Sequence, residues 1–220
     1  MRSGRLKDGG LMKNFYGLTG IPKIEGVSSK RYKPFKKHKG DGLGAFSAAN
    51  QKVMEETINS IKNPKLILEI GVCNNKEHYY RTSTATILKS KPADCTYVGV
   101  DIVDKTSILK SKFPNEFDKT AHFFKADSKN ISKVMNFINS LGFNEIDLLH
   151  IDGLHTIEHI PYDWRYSEYV SKKGKILLHD TNQHPGPVAL LDFIDDKNKC
   201  IYEIKPDAFR ETEKKKYSKI

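Results

Sequence analysis

The feature that most constrains the fold of this chain is a regular alternation of short apolar runs with helical stretches between residues 66 and 179. Each apolar run has the length of a buried strand and is bounded by polar residues. The predicted strands are Leu66–Ile70, Tyr97–Asp101, His122–Lys125, Ile146–Ile151 and Ile176–His179. The predicted helices between them are Ser83–Lys89, Asp104–Lys112, Ile131–Leu141 and Ile157–Val170.

Strand runs without a polar face are expected when helices cover both sides of a parallel sheet. Successive strand–helix units in one sheet need right-handed crossovers, and these give a doubly wound arrangement. The sequence therefore predicts an α/β fold with a doubly wound, mostly parallel sheet. A further helix precedes the first strand, and a helix over Val188–Asp195 and a strand over Cys200–Ile204 are predicted after the last one.

The positive charge of the chain is concentrated near its first residue. Residues 1–40 contain eleven Lys or Arg against two acidic residues, which is +9 of the net charge of +10. Residues 1–44 are rich in Gly and show no sustained helical or strand period, so we predict a basic arm or lid there and one domain over residues 45–220. A solvated tail, a substrate-covering lid and a nucleic-acid contact all stay open as roles for the arm.

The cysteines indicate a reducing compartment. Cys73, Cys95 and Cys200 are widely separated and form no Cys-x-x-Cys pair, which argues against a disulfide framework or a thiolate zinc site. No apolar run approaches the roughly 20 residues that a membrane span needs, and the first residues lack the apolar block of a secretory signal. We therefore expect a cytoplasmic protein without a membrane partner.

Polar residues follow the predicted strands, where ligands bind in an open α/β sheet. Glu69 and Gly71 end the first strand, and Gly71 lets the backbone approach a ligand closely. Asp101 ends the second strand, where a carboxylate can accept both hydroxyls of a ribose. Asp127 follows the third strand, in a position to border an adenine ring. Taken singly, such residues are more often turns and helix caps.

In this order, these residues resemble the cofactor side of class I S-adenosylmethionine-dependent methyltransferases, which have a Rossmann-like fold. The resemblance places Glu69 and Gly71 at the amino-acid end of the cofactor, Asp101 on the ribose hydroxyls and Asp127 beside the adenine. It does not extend to the basic arm. One departure is the first loop: the family's usual second glycine is missing, and the loop over residues 72–82 is longer.

The most informative motifs are Asp152-Gly153-Leu154-His155 and His179-Asp180, each at the end of a predicted strand. With the intervening helix and glycine, they resemble the pattern of small-molecule O-methyltransferases, including catechol-like, sugar and antibiotic-tailoring enzymes. The resemblance implies a methyl acceptor between Asp152 and Asp180, with His155 as the catalytic base.

Asp152 and Asp180 end strands that we expect to be neighbours, so their carboxylates should converge on one cleft. Two oxygen ligands with open positions suit Mg²⁺, which would lower the pKa of a bound hydroxyl. Related metal-dependent enzymes have an acidic or amide ligand where this chain has Thr181. Two interpretations therefore stay open: a metal site at Asp152 and Asp180, or carboxylates that only form hydrogen bonds. His150 and His179 are interpreted as core residues.

The sequence thus favours a methyltransferase that uses S-adenosylmethionine, with Mg²⁺ as an optional second cofactor, on an oxygen of a small molecule. A homo-oligomer is compatible with this prediction. The basic arm gives some support to an RNA or protein methyltransferase, although the nearly neutral remainder of the chain disfavours a nucleic-acid partner. A metal-dependent hydrolase and a binding module without activity also stay open.

Overall fold

The computed structural model describes residues 36–38, 48–72, 82–181, 184–191, 194 and 202–204. Its strands are β1 (Lys36–His38), β2 (Leu66–Ile70), β3 (Thr96–Asp101), β4 (Ala121–Lys125), β5 (Ile146–Ile151), β6 (Val170–Leu178) and β7 (Tyr202–Ile204). Its helices are α1 (Ala48–Asn59), α2 (Ser83–Ser90), α3 (Thr106–Lys112), α4 (Ile131–Ser140), α5 (Ile160–Trp164) and α6 (Pro185–Leu190), and a 3₁₀ helix spans Arg165–Tyr169.

Among the described residues, the main sheet has five strands in the order β4-β3-β2-β5-β6, and every neighbouring pair is parallel. Counted from β2 as the first strand, this order is 3-2-1-4-5, which is the start of the Rossmann strand order. The order reverses beside β2, which is where ligands bind in such sheets. The predicted fold class, a doubly wound parallel sheet, is confirmed.

The apolar residues of the central strands divide between two cores because successive side chains of a strand point to opposite faces. Leu66, Leu68 and Ile70 of β2 pack with α4, α5 and α6. Ile67, on the other face of β2, packs with α1, α2 and α3. Every residue of β2 is buried, which explains why its sequence shows no polar alternation.

The segment between β5 and β6 differs from the prediction. A single helix over Ile157–Val170 was expected, whereas the structure has α5, then the 3₁₀ helix, and Val170 already pairs with Ile146 in the sheet. The register between β5 and β6 shifts after that pair, and Gly174 fits there because a Cβ would lie 2.9 Å from the Asp147 carbonyl oxygen. Because of this bulge, β6 begins before the apolar run Ile176–His179 from which the strand was predicted.

The end of the chain also differs in detail. The predicted helix Val188–Asp195 is α6, which begins earlier because Pro185 occupies the first turn. Strand β7 covers Tyr202–Ile204 of the predicted Cys200–Ile204, whose first two residues lie outside the described residues. It pairs in parallel with β1, so three residues of the basic arm form a second, two-stranded sheet with it. The rest of the arm, residues 1–35 and 39–44, lies outside the described residues. Within the described ranges, no helix is both long and apolar enough to cross a membrane.

Candidate functional site

The carboxyl ends of β2, β5 and β6 lie side by side at one edge of the sheet. The amide of Asp152 donates to the Ile70 carbonyl at 2.8 Å, and the amide of His179 donates to the Ile151 carbonyl at 3.1 Å. These bonds extend the strand pairing by one residue and fix the positions of Asp152 and His179. The motifs of the two strand ends, far apart in sequence, therefore meet in space as expected.

Five side chains form one group at this edge, here called the His–Asp cluster: Asp152, His155, His179, Asp180 and His184. His155 lies between the two carboxylates, with Nε2 at 3.3 Å from Asp152 Oδ1 and Nδ1 at 3.5 Å from Asp180 Oδ2. His179 Nδ1 lies 2.8 Å from Asp152 Oδ1 and 3.6 Å from Asp180 Oδ1. The structure thus brings Asp152, His155 and Asp180 together, and it adds two imidazoles.

The cluster has unusual electrostatics because carboxylates and imidazoles are half-buried together. Burial by itself would raise the pKa of Asp152, but the polar contacts with His155 and His179 outweigh it and hold that pKa well below its usual range. Asp152 therefore stays ionised at neutral pH, while 24% of its side chain remains exposed. A charged oxygen is thus available to a ligand that enters from the solvent side.

Local backbone geometry places the remaining members of the cluster. Asp180 has a φ of 53°, in the left-handed region that Asp tolerates better than most residues. Gly186 donates its amide to the His155 carbonyl at 3.1 Å, and a Cβ on Gly186 would lie 2.6 Å from the Thr156 carbonyl oxygen. This close approach packs the start of α6 onto the turn after His155. It brings His184 to 3.2 Å from Asp180 Oδ2.

The sequence-based interpretation missed His184 and was wrong about His179. His179 was interpreted as a core residue of an apolar strand, but β6 ends at Leu178 and the imidazole of His179 contacts both carboxylates. The same interpretation is correct for His150, which is buried in β5 with Nδ1 at 3.2 Å from Glu69 Oε1. The position of His179 beside Asp180 could have identified it as a site residue, since residues just past the carboxyl end of a strand lie where ligands bind.

Glu69, which the resemblance places at the amino-acid end of the cofactor, makes several hydrogen bonds within the protein. It is fully buried, and its Oε2 accepts from the Thr84 hydroxyl at 2.7 Å and from the Tyr97 hydroxyl at 2.6 Å. With His150 on Oε1, the carboxylate joins β2, β3, β5 and the start of α2. Glu69 therefore holds these strand ends and the start of α2 in place by hydrogen bonds, which is a positioning role.

Gly71 follows β2 with a φ of 87°, a backbone conformation that favours glycine. A Cβ there would lie 2.1 Å from the carbonyl oxygen of Asp152, so only glycine lets the two strand ends approach so closely. The backbone of β5 thus explains why this position requires glycine. Residues 73–81 of the following loop, including Tyr79, Tyr80 and Arg81, lie outside the described residues.

Asp101 and Asp127 lie at the tips of β3 and β4, as predicted. Asp101 Oδ2 accepts from the Val72 amide at 3.0 Å, and Oδ1 accepts from the Val103 amide at 2.8 Å. The next residues, Ile102 and Val103, leave 67% and 56% of their surface exposed. Asp127 is exposed and accepts from the Lys129 amide at 2.9 Å. This part of the edge therefore offers carboxylates beside an apolar surface.

A buried polar network behind the edge escaped the sequence analysis. The Ser128 hydroxyl donates to Asp163 Oδ1 at 2.6 Å and lies 3.0 Å from His159 Nε2. Asp163 is fully buried, and its Oδ2 makes no hydrogen bond within the described part of the chain. A Cβ on Gly153 would lie 3.0 Å from that oxygen, which explains the glycine after Asp152. The network fixes the start of the Asp152–His155 turn against α5.

The donor set of the His–Asp cluster is mixed. Mg²⁺ binds almost exclusively oxygen ligands, whereas imidazole nitrogens suit first-row transition metals. Within the cluster, Asp152 and Asp180 both contact imidazole nitrogens, so the two carboxylates do not form an all-oxygen site by themselves. Asn182, which could have supplied an amide oxygen, lies outside the described residues. The groups present suit a nitrogen-binding ion better than Mg²⁺.

Comparisons with known proteins give structural likenesses only. No family profile and no curated protein match the chain. The MycE methyltransferase of the mycinamycin biosynthetic pathway, solved with Mg and SAH, is 17% identical, with a TM-score of 0.48 over 73% of this chain and 37% of MycE. The SAH-bound methyltransferase PaMTH1 of Podospora anserina is 18% identical, with a TM-score of 0.46 over 63% of this chain and 54% of PaMTH1.

A protein of Corynebacterium glutamicum is 11% identical, with a TM-score of 0.48 over 94% of this chain and 84% of that protein. The chain thus spans little more than a third of the length of MycE and about half that of PaMTH1. At such identities a likeness concerns the fold, and the fold here rests on the strand order and register described above.

Proposed function

We propose that this chain is an S-adenosylmethionine-dependent methyltransferase that transfers a methyl group to an oxygen of a small molecule. The observation that carries the proposal is the juxtaposition of Asp152, His155 and Asp180 at the carboxyl edge of a doubly wound sheet. Asp152, whose pKa is held below its usual range at that edge, is a candidate for chemistry. The carboxylates at the tips of β3 and β4 supply the neighbouring cofactor side.

On the cofactor side, the chemistry of the edge fits an adenosine. The carboxylate of Asp101 would accept the ribose hydroxyls, and the exposed Ile102 and Val103 would pack against the flat face of the adenine. Asp127 would border the ring from the tip of β4. Gly71 and Glu69 would act by positioning: Gly71 lets the strand ends meet, and Glu69 fixes the start of α2 through Thr84.

On the acceptor side, the transfer is an in-line displacement at the methyl carbon. The acceptor oxygen forms a bond to the methyl group, the bond from carbon to the sulfonium sulfur breaks, and the electron pair returns to sulfur as S-adenosylhomocysteine forms. The hydroxyl proton must leave the oxygen. His155, held between Asp152 and Asp180, activates the acceptor in one of two ways. It either takes that proton or holds a cation that lowers the pKa of the acceptor hydroxyl. Proximity and orientation supply the rest of the acceleration.

The side chains of the cluster favour a small acceptor over a polyanion. Its ionised Asp152, with Asp180 close by, would repel phosphate groups, and this disfavours an RNA substrate. A sugar or phenol hydroxyl can instead donate a hydrogen bond to either carboxylate.

Substitution of Asp101 tests the proposed cofactor-binding residues. Replacing Asp101 with alanine should weaken the binding of S-adenosylhomocysteine by about 1–3 kcal/mol, because the ribose hydroxyls lose a charged acceptor. Calorimetric titration of the full chain measures this difference directly. Asp101→Asn, which keeps one acceptor oxygen, should lose less.

Asp104→Ala is the matched control, since Asp104 lies on the same segment, is exposed and accepts from the Thr106 amide of its own loop. It should leave the affinity unchanged. Equal affinity of the Asp101→Ala variant and the unaltered chain would remove Asp101 from the cofactor site.

A further inference from the structure

The atoms of three cluster residues converge on one point. His155 Nε2 and His179 Nδ1 lie 3.3 and 2.8 Å from the same oxygen, Asp152 Oδ1. One ligand atom from each of the three residues lies within 4.8 Å of the other two. Ligands held about 2.1 Å from a metal stand roughly 3.0 Å apart in octahedral and 3.4 Å apart in tetrahedral geometry. The two distances to Asp152 already match that spacing.

The surroundings of His155 supply a second, independent observation. Its Nε2 is closed off from solvent and makes no hydrogen bond of acceptable geometry with any described residue. Its Nδ1 faces Asp180 Oδ2 at 3.5 Å, and His184 Nε2 lies 3.2 Å from the same oxygen. A carboxylate behind a ligating imidazole fixes the tautomer that leaves the far nitrogen free to bind an ion. This nitrogen, 3.3 Å from Asp152 Oδ1, therefore lies where an ion shared with that oxygen would be held.

We propose that Asp152, His155 and His179 bind a divalent first-row transition metal ion, such as Mn²⁺, Fe²⁺, Co²⁺ or Zn²⁺, in preference to Mg²⁺. Two imidazoles and one carboxylate on one side of an ion leave its other positions open to oxygen ligands from solvent or substrate. Mg²⁺ prefers oxygen ligands and keeps several waters, so it gains little from the imidazoles. Asp180 and His184 form the outer layer, as the groups that orient His155.

The ion would lie on the acceptor side of the site. Its role in the reaction rests on the proposed function, whereas the geometry of metal binding does not depend on that function. It gives His155 the role of a ligand. The acceptor proton then needs another base. His184 is 47% exposed and paired with Asp180, so it is positioned to receive that proton.

The test measures metal binding alone, without cofactor or acceptor. The full chain is stripped with a chelator and titrated with Co²⁺, followed by its visible absorption, and with Mg²⁺, followed by calorimetry. Co²⁺ should bind at least 100-fold more tightly than Mg²⁺. His179→Asn and His155→Asn should each lose most of the cobalt absorption, and Asp180→Asn should weaken Co²⁺ binding by about 10–100-fold.

His122→Asn is the matched control, because His122 lies on β4 outside the cluster, and it should bind Co²⁺ like the unaltered chain. Mg²⁺ binding as tight as Co²⁺ binding, or full cobalt absorption in both cluster variants, would overturn the proposal. If a variant does not fold, competition on the unaltered chain still decides: displacement of most of the Co²⁺ by about a tenfold excess of Mg²⁺ contradicts the inference. Cobalt binding in a chain that does not bind S-adenosylhomocysteine would overturn the methyltransferase proposal alone.

Discussion

Replacing Glu69 with alanine is expected to lower the free energy of unfolding by about 3–5 kcal/mol. The carboxylate is fully buried and receives hydrogen bonds from Thr84 and Tyr97, with His150 beside its other oxygen. Three buried polar groups would lose this acceptor together, and a cavity would remain between them. Urea denaturation followed by circular dichroism measures the change.

Glu145→Ala is the matched control, because Glu145 is an exposed glutamate directly before β5. Its effect should stay within about 0.5 kcal/mol, as for most surface substitutions. A Glu69→Ala variant as stable as this control would show that the buried network does not hold the strand ends. The positioning role given to Glu69 would then be wrong.

Replacing His155 with glutamine is expected to lower kcat for methyl transfer by about 10²–10⁴-fold. His155 contacts Asp152 through Nε2 and Asp180 through Nδ1, so its loss removes activation of the acceptor in either proposed role. The rate is measured as S-adenosylhomocysteine formed from S-adenosylmethionine, with an acceptor found by screening sugars and phenols. The affinity for S-adenosylhomocysteine should not change, because the cofactor side lies beside other strands.

His122→Gln is the control for His155→Gln, since His122 is a partly buried histidine on β4. It should keep the rate of the unaltered chain. A His155→Gln variant with full kcat would place the chemistry elsewhere, even if the cofactor binds as proposed.

The central strands could be predicted from the sequence because their burial leaves a simple signal. Leu66–Ile70 and Ile146–Ile151 are buried at nearly every position, and both were predicted with the bounds that the structure has. The early start of β6 could not be predicted, because Val170 pairs with Ile146 ahead of a register shift and is followed on β6 by the polar residues Ser171, Lys172 and Lys173. Edge strands are half-exposed, so their sequences carry a weaker pattern.

The site was predictable only where a residue marks a strand end. Asp152 and Asp180 follow strands, so the rule of the carboxyl edge located them and brought His155 with them. His184 was missed because its place depends on α6 packing against the turn after His155, through Gly186. The Ser128–His159–Asp163 network was missed for the same reason, because tertiary packing joins residues from separate elements.

The partners of Glu69 could not be predicted from its position. The resemblance implied only that it lies at the amino-acid end of the cofactor, whereas the structure shows its oxygens engaged by Thr84, Tyr97 and His150. Whether a residue at a strand end faces a ligand or the interior depends on which neighbours reach it. Gly99 allows this arrangement, since a Cβ there would lie 2.5 Å from the Tyr97 hydroxyl.

The most direct test of the central claim is a calorimetric titration of the full chain with S-adenosylhomocysteine, beside an identical titration with NAD. Both ligands carry an adenosine that a carboxylate at the tip of β3 could hold, so their comparison separates a methyltransferase from a dinucleotide-binding protein. We expect saturable one-to-one binding of S-adenosylhomocysteine and none of NAD. Binding of NAD without binding of S-adenosylhomocysteine would contradict it.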